Sequence, residues 1–215
     1  MKVIIAGSTG MIGNLVLNQC LNSDKIKEVI SLVRKPTNTN HEKLTEVVIE
    51  NFEDFSEQDL HFQNVDTAFF CIGVYTGQVK DALFKKITVD YAVKFAAAVE
   101  KNSPTSTFCL LSGAGADRTE KSRTSFAKYK GMAENQIQKM DLNFYTFRPS
   151  YIYPVTSRDE PNLMYKVSRM LYPLIKLFGE NASITSVELA KALFNVGVNG
   201  ADKEILENRD ILGYI

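Results

Sequence analysis

The chain has 215 residues, 45% of them hydrophobic and 23% charged, and its 25 basic residues balance its 25 acidic ones at a pI near 6.7. That length suits one large domain and is short for two, with roughly 70% of the unfolded surface available for burial. The charge balance argues against a nucleic-acid surface. Three scattered cysteines (Cys20, Cys71, Cys109) argue against a disulfide framework or zinc site, and two histidines (His41, His61) against a histidine-based metal site or triad.

Taken in chain order, Lys2–Ala6 is a short β-branched run that reads as a strand. It is too short for a signal segment or a membrane span, and no later run is long enough, so a cytoplasmic protein without a membrane partner is expected. Met11–Leu21 repeats apolar residues at helical spacing. Glu28–Val33, Glu46–Ile49, Asp66–Ile72, Thr105–Leu111 and Asn143–Phe147 read as further strands. Between them Asp81–Lys101 is predicted as one long helix with an apolar seam of Phe84, Ile87, Tyr91, Phe95 and Val99, and Ser125–Met140 as another. Pro161–Phe178 is predicted to be an amphipathic helix broken near Tyr172-Pro173, and Val187–Val198 a helix capped by Thr185 or Ser186. Continuous apolar strands alternating with helices predict an α/β fold, a doubly wound parallel sheet of Rossmann type. The whole chain, 1–215, is expected to form that one domain, with residues 149–215 adding a small helical cap on the substrate side.

The most specific pattern is Gly7-Ser8-Thr9-Gly10-Met11-Ile12-Gly13, between the first strand and the first helix. In that setting Gly7 permits a tight turn, Gly10 lets backbone approach a pyrophosphate and Gly13 allows close helix–sheet packing. The helix start offers free N–H groups and partial positive charge to the diphosphate. A dinucleotide is therefore the expected ligand. The G-x-x-G-x-x-G spacing resembles that of the atypical and extended short-chain dehydrogenase/reductase families. The likeness extends over essentially the whole chain and lies closest to the NADP(H)-binding atypical group that includes the TIP30-like proteins.

An NAD site usually carries an acidic residue about 20 residues past the glycines. Here the second strand ends in Val33-Arg34-Lys35-Pro36, and two cations suit a 2′-phosphate, Arg34 as a planar fork and Lys35 as a point charge. The resemblance implies the same cofactor, NADP(H). It also implies that Asn51-Phe52 contacts adenine and that Cys71-Ile72-Gly73 lies beside the adenosine ribose and pyrophosphate. Cys71 itself reads as a small packed side chain.

Members of these families place a serine at the end of the fifth strand and a Tyr-x-x-x-Lys on the next helix, where the lysine holds the nicotinamide ribose and lowers the tyrosine's pKa. Ser112 matches the serine, and Lys130-Gly131-x-x-Glu134 matches the lysine segment. Four residues before Lys130 stands Phe126, which would face the site with no proton to give. Tyr129 lies on a different helix face, roughly 4.5 Å further along the axis. Phe147-Arg148-Pro149-Ser150 resembles the family's Arg-Pro turn under the nicotinamide, where Tyr151 or Ile152 would meet the carboxamide; Arg148 reads equally as a structural ion-pair partner. Tyr151 and Tyr153 are further hydroxyls on that side.

Two functions follow. One is a reductase on a small carbonyl or enone, with Ser112 and Lys130 as surviving catalytic members and water or another hydroxyl giving the proton. The other is a catalytically weak NADPH-binding sensor or partner-binding protein. Either is expected as a monomer or homodimer.

Overall fold

Four residues of the first strand, Val3, Ile4, Ile5 and Ala6, have no exposed surface, as a strand covered on both faces requires. The computed structural model describes residues 1–156, 172, 179 and 181–215. Among these residues the main sheet has seven parallel strands. They are β1 (Lys2–Ala6), β2 (Glu28–Val33), β3 (Leu44–Val48), β4 (Thr67–Phe70), β5 (Thr107–Leu111), β6 (Asn143–Arg148) and β9 (Ile205–Glu207). Their order is β3-β2-β1-β4-β5-β6-β9. The chain reverses its direction of growth between β1 and β4, which opens the crevice where ligands of doubly wound sheets bind. A separate parallel pair joins β7 (Tyr151–Tyr153) to β8 (Ser183–Thr185).

Alternation along the strands divides the core. Val3, Ile5, Phe69, Cys109 and Phe147 pack with α1 (Met11–Asn22), α6 (Ser186–Asn199) and α7 (Asn208–Leu212). Ile4, Ala6, Phe70, Phe108 and Leu110 pack on the other face with α2 (Asp59–Phe62), α4 (Tyr91–Asn102) and α5 (Ser125–Ile137). Helix α6 is closed by a capping box in which Thr185 and Glu188 exchange bonds, so Thr185 is the cap.

One sequence expectation needs correction. The single helix over 81–101 is interrupted: α3 (Asp81–Lys85) passes into a π turn, Lys86–Asp90, before α4. The wider turn rotates the seam, so Thr88 and Val89 are buried while Ile87 and Tyr91 are only half-buried. The short elements β7, β8, β9, α2 and α7 were not anticipated, because three to five residues are too few to show a period. The helix expected over Pro161–Phe178 lies, apart from Tyr172, outside the described residues.

Helix α5 approaches the loop after β5 so closely that a Cβ on Gly131 would stand 1.8 Å from the Asp117 carbonyl oxygen. Backbone cannot yield there as a flexible side chain would. Gly131→Ala is expected to lower stability by about 1–3 kcal/mol or more, measured by urea denaturation; an unchanged midpoint would refute this packing.

Candidate functional site

The glycine loop forms as its spacing requires. Gly7 has a φ of +92°, and a Cβ there would come within 2.7 Å of the Cys71 backbone at the end of β4. A Cβ on Gly13 would lie 2.1 Å from the Gly7 carbonyl oxygen, so the close packing concerns the turn itself. Gly10 caps α1 with no side-chain bond. Among the described residues a Cβ on Gly10 would meet only the Gly7 oxygen, at 3.3 Å, and one on Gly73 would meet nothing within 4 Å. Open space over two glycines, facing a helix start, fits a diphosphate.

The side chains beside that backbone point elsewhere. The Ser8 hydroxyl turns inward onto Ser31 at 2.6 Å, and Ile12 is buried in the core. These two residues can meet a ligand only through their backbone; Thr9 is exposed and Met11 half-buried. Phe52, expected at the adenine, is instead buried in an aromatic cluster with Phe55 and Tyr91, while its neighbour Asn51 stays exposed. Cys71 and Ile72 are half-buried, and burial pushes the Cys71 thiol up to about 12, against the opposing pull of Lys130. At neutral pH it is a packed thiol, not a nucleophile.

Beside the loop lies a pocket of about 250 Å³ lined by Ser8, Thr9, Asn14, Leu17, Thr37, Thr39 and Glu46. Both oxygens of Glu46 are taken by Thr37, through its N–H at 2.9 Å and its hydroxyl. The sequence offered no sign of this carboxylate, because it comes from β3. Arg34 and Lys35, at the end of β2, are exposed.

At the ends of β5 and β6 the site becomes a network. Glu134 on α5 is wholly buried. It accepts the Ser112 hydroxyl at 2.6 Å, Thr146 at 3.1 Å, the Arg118 guanidinium at 2.8 Å and that of Arg148 at 2.6 Å. Burial pushes its carboxyl up, and the bonds from Arg148, Ser112 and Arg118 outweigh this, leaving it below its ordinary value. Arg148 reaches on to Glu207 and Arg118 to Glu204. Arg148 is thus an ion-pair partner. Ser112 spends its single proton on Glu134.

Lys130 projects from the same helix and donates from Nζ to the Leu111 carbonyl at 2.9 Å. Burial brings its ammonium down to about 8, with Glu134 and Cys71 acting the other way. Phe126, one turn earlier, lays its ring tip on the turn after β5, since a Cβ on Gly113 would come 2.5 Å from its Cζ. Tyr129 faces away and donates to Asp81 at 2.6 Å, which holds its phenol above the usual value. Pro149 is buried, and its carbonyl accepts from Ala114, tying the turn after β6 to the turn after β5. Tyr153 stacks on Tyr172, centroids 3.9 Å apart, and Tyr151 lies beside the same ring at 6.4 Å. Among the described residues no helix is long and apolar enough to cross a membrane.

Comparison with known proteins agrees with this geometry. Residues 7–194 match the profile of a family described as NAD(P)H-binding. The mitochondrial protein FMP52 of Debaryomyces hansenii is 31% identical over 156 residues, covering 66% of this chain and 62% of that protein; the chain thus spans about 62% of the length of this curated relative. Among solved structures, Gre2 of Candida albicans in complex with NADPH matches with a TM-score of 0.72 at 14% identity, over 96% of this chain and 77% of its own. The enzyme WbmH of Bordetella bronchiseptica in complex with NAD+ matches at 0.71 and 17% identity, over 96% and 74%. At such identities the likeness is one of fold.

The Glu134 network makes a prediction that needs no ligand. Removing one partner of a buried ion pair costs about 3–5 kcal/mol, so Glu134→Gln is expected to lose that much in urea unfolding at neutral pH. The carboxyl's folded value is lowered, so its contribution is complete above the unfolded value of about 4.3 and disappears as pH falls through the folded one. The gap between wild type and Glu134→Gln should therefore narrow in acid. A loss under about 1 kcal/mol, the value of an exposed pair, would contradict the network.

Proposed function

The chain belongs to the NAD(P)H-binding family, and on that footing we propose that it is an NADP(H)-dependent oxidoreductase acting on a small carbonyl or enone. The observation that carries this reading is the convergence at one end of the sheet of the open glycine turn, the exposed cations Arg34 and Lys35, and Lys130. The dinucleotide, when bound, supplies the hydride. The chain's part is to hold it. The start of α1 takes the diphosphate, and Arg34 and Lys35 take the 2′-phosphate while Thr37 occupies Glu46. The turns of Cys71–Gly73 and Pro149–Tyr151 flank the remaining length. The described residues beyond Pro149 are assigned to the substrate side. Ser112 serves by fixing the end of β5 to Glu134.

A second reading is favoured by a specific observation. Phe126 stands one turn before Lys130, the Tyr129 hydroxyl is held by Asp81 and the Ser112 hydroxyl by Glu134. None of these three positions offers a free acidic hydroxyl, as befits a protein that binds NADPH and turns it over weakly.

NADPH is expected to bind more tightly than NADH, and Arg34→Ala to remove most of an advantage of about ten- to hundredfold, read by fluorescence titration. Equal affinities in the wild type would sink the 2′-phosphate assignment.

NADPH oxidation across one carbonyl panel separates the two readings. Tyr129→Phe should leave the rate unchanged. Phe126→Tyr should raise it by up to about 10²–10⁴-fold, the usual range of a positioned acid. If Tyr129→Phe abolishes a robust activity, Tyr129 is the acid; if every variant binds NADPH and none reduces a carbonyl, the sensor reading stands.

A further inference from the structure

Carbonyl reduction needs a proton for the developing alkoxide, and this site has lost its usual sources. Phe126 carries none, Ser112 has placed its hydrogen on Glu134 and Tyr129 on Asp81. Lys130 stands one helical turn after Phe126 on α5, on the same face. The Lys130 ammonium has three N–H bonds, and the Leu111 carbonyl takes one of them.

Resting on the oxidoreductase reading above, we propose that Lys130 is itself the proton donor, filling the role a phenol would otherwise have. The Nζ–H bond breaks and an O–H bond forms on the carbonyl oxygen of the substrate. Nitrogen keeps the electron pair, and the neutral amine then takes a proton back from water. The hydride on the carbonyl carbon is the dinucleotide's contribution, so charge and atoms balance.

The surroundings suit the task. Among the described residues the ionisable groups that face Lys130 are Glu134, on its own helix, and Cys71, just after β4; at the end of β5 it meets the neutral Leu111 carbonyl. Glu134 is already neutralised by two arginines, and the Cys71 thiol is protonated at neutral pH. Neither holds the ammonium as a full counter-ion. Burial therefore prevails and brings it to about 8, near enough to neutrality for proton transfer to be favourable. A lysine on the surface, at about 10.4, would be a poorer acid.

The test uses the intact chain with ¹³Cε-labelled lysine. Without ligand, one resonance, absent in Lys130→Met, is expected to titrate near 8. With NADPH and a carbonyl substrate, kcat should fall tenfold per pH unit above that same value. Lys130→Arg keeps the positive charge but cannot release a proton at these pH values. It should still bind NADPH and lose about 10²–10⁴ in kcat. If Lys130 titrates with the surface lysines, or Lys130→Arg keeps its rate, the assignment falls and the oxidoreductase reading survives. If the wild type binds NADPH but reduces no carbonyl at any pH, the oxidoreductase reading falls and takes this assignment with it.

Discussion

The carboxylate of Glu134 lies out of water and is held by two guanidinium groups and two hydroxyls. An ionised carboxylate in that position is destabilising by several kcal/mol unless every lone pair finds a partner. Its partners come from separate pieces of chain: Ser112 after β5, Arg118 in the following loop, and Thr146 and Arg148 on β6. Through Glu204 and Glu207 the same arginines reach the edge strand β9. One buried charge thus sets the spacing of three neighbouring strands and of the helix over them. Lys130 sits one helical turn before Glu134 on the same face, so the network also determines where the site's ammonium stands.

At the other half of the crevice the constraint is steric. The turn after β1 and the end of β4 touch so closely that residue 7 has neither room for a Cβ nor an ordinary φ. Gly13 and Gly131 meet carbonyl oxygens in the same way. These contacts draw α1 and α5 tight against the strand ends on opposite faces of the sheet, leaving open backbone at Gly10 and Gly73 between them. The preorganised end of the sheet is therefore a consequence of packing, and it offers a diphosphate N–H groups whose positions are already set.

The motif Lys130-Gly131-x-x-Glu134 illustrates how a resemblance and a structure divide the explanation. The likeness marks these residues as belonging together. The geometry shows that two of the three are architectural, Gly131 by clearance from Asp117 and Glu134 by its ion pairs. Phe52 shows the opposite case. The resemblance implies an adenine contact, yet its ring completes an aromatic cluster with Phe55 and Tyr91. A large apolar side chain next to an open core is drawn inward by the area it removes from water.

Sequence alone determined the parallel sheet, the bounds of β1 and β2, the start of α5 and the glycine turn. Each of these is a local pattern, a period of side chains or a residue without a Cβ, and local patterns are written in consecutive residues. It also offered Arg34, Lys35 and Lys130 as the candidate cations of a dinucleotide site. Tertiary structure alone decided where the protons go. Ser112 meets Glu134 across 22 residues and Tyr129 meets Asp81 across 48, while Glu46 enters the pocket beside the glycine loop from a strand whose alternation says nothing of it. A hydroxyl rotates to whichever acceptor the fold brings within reach, and no spacing along the chain records which one that is.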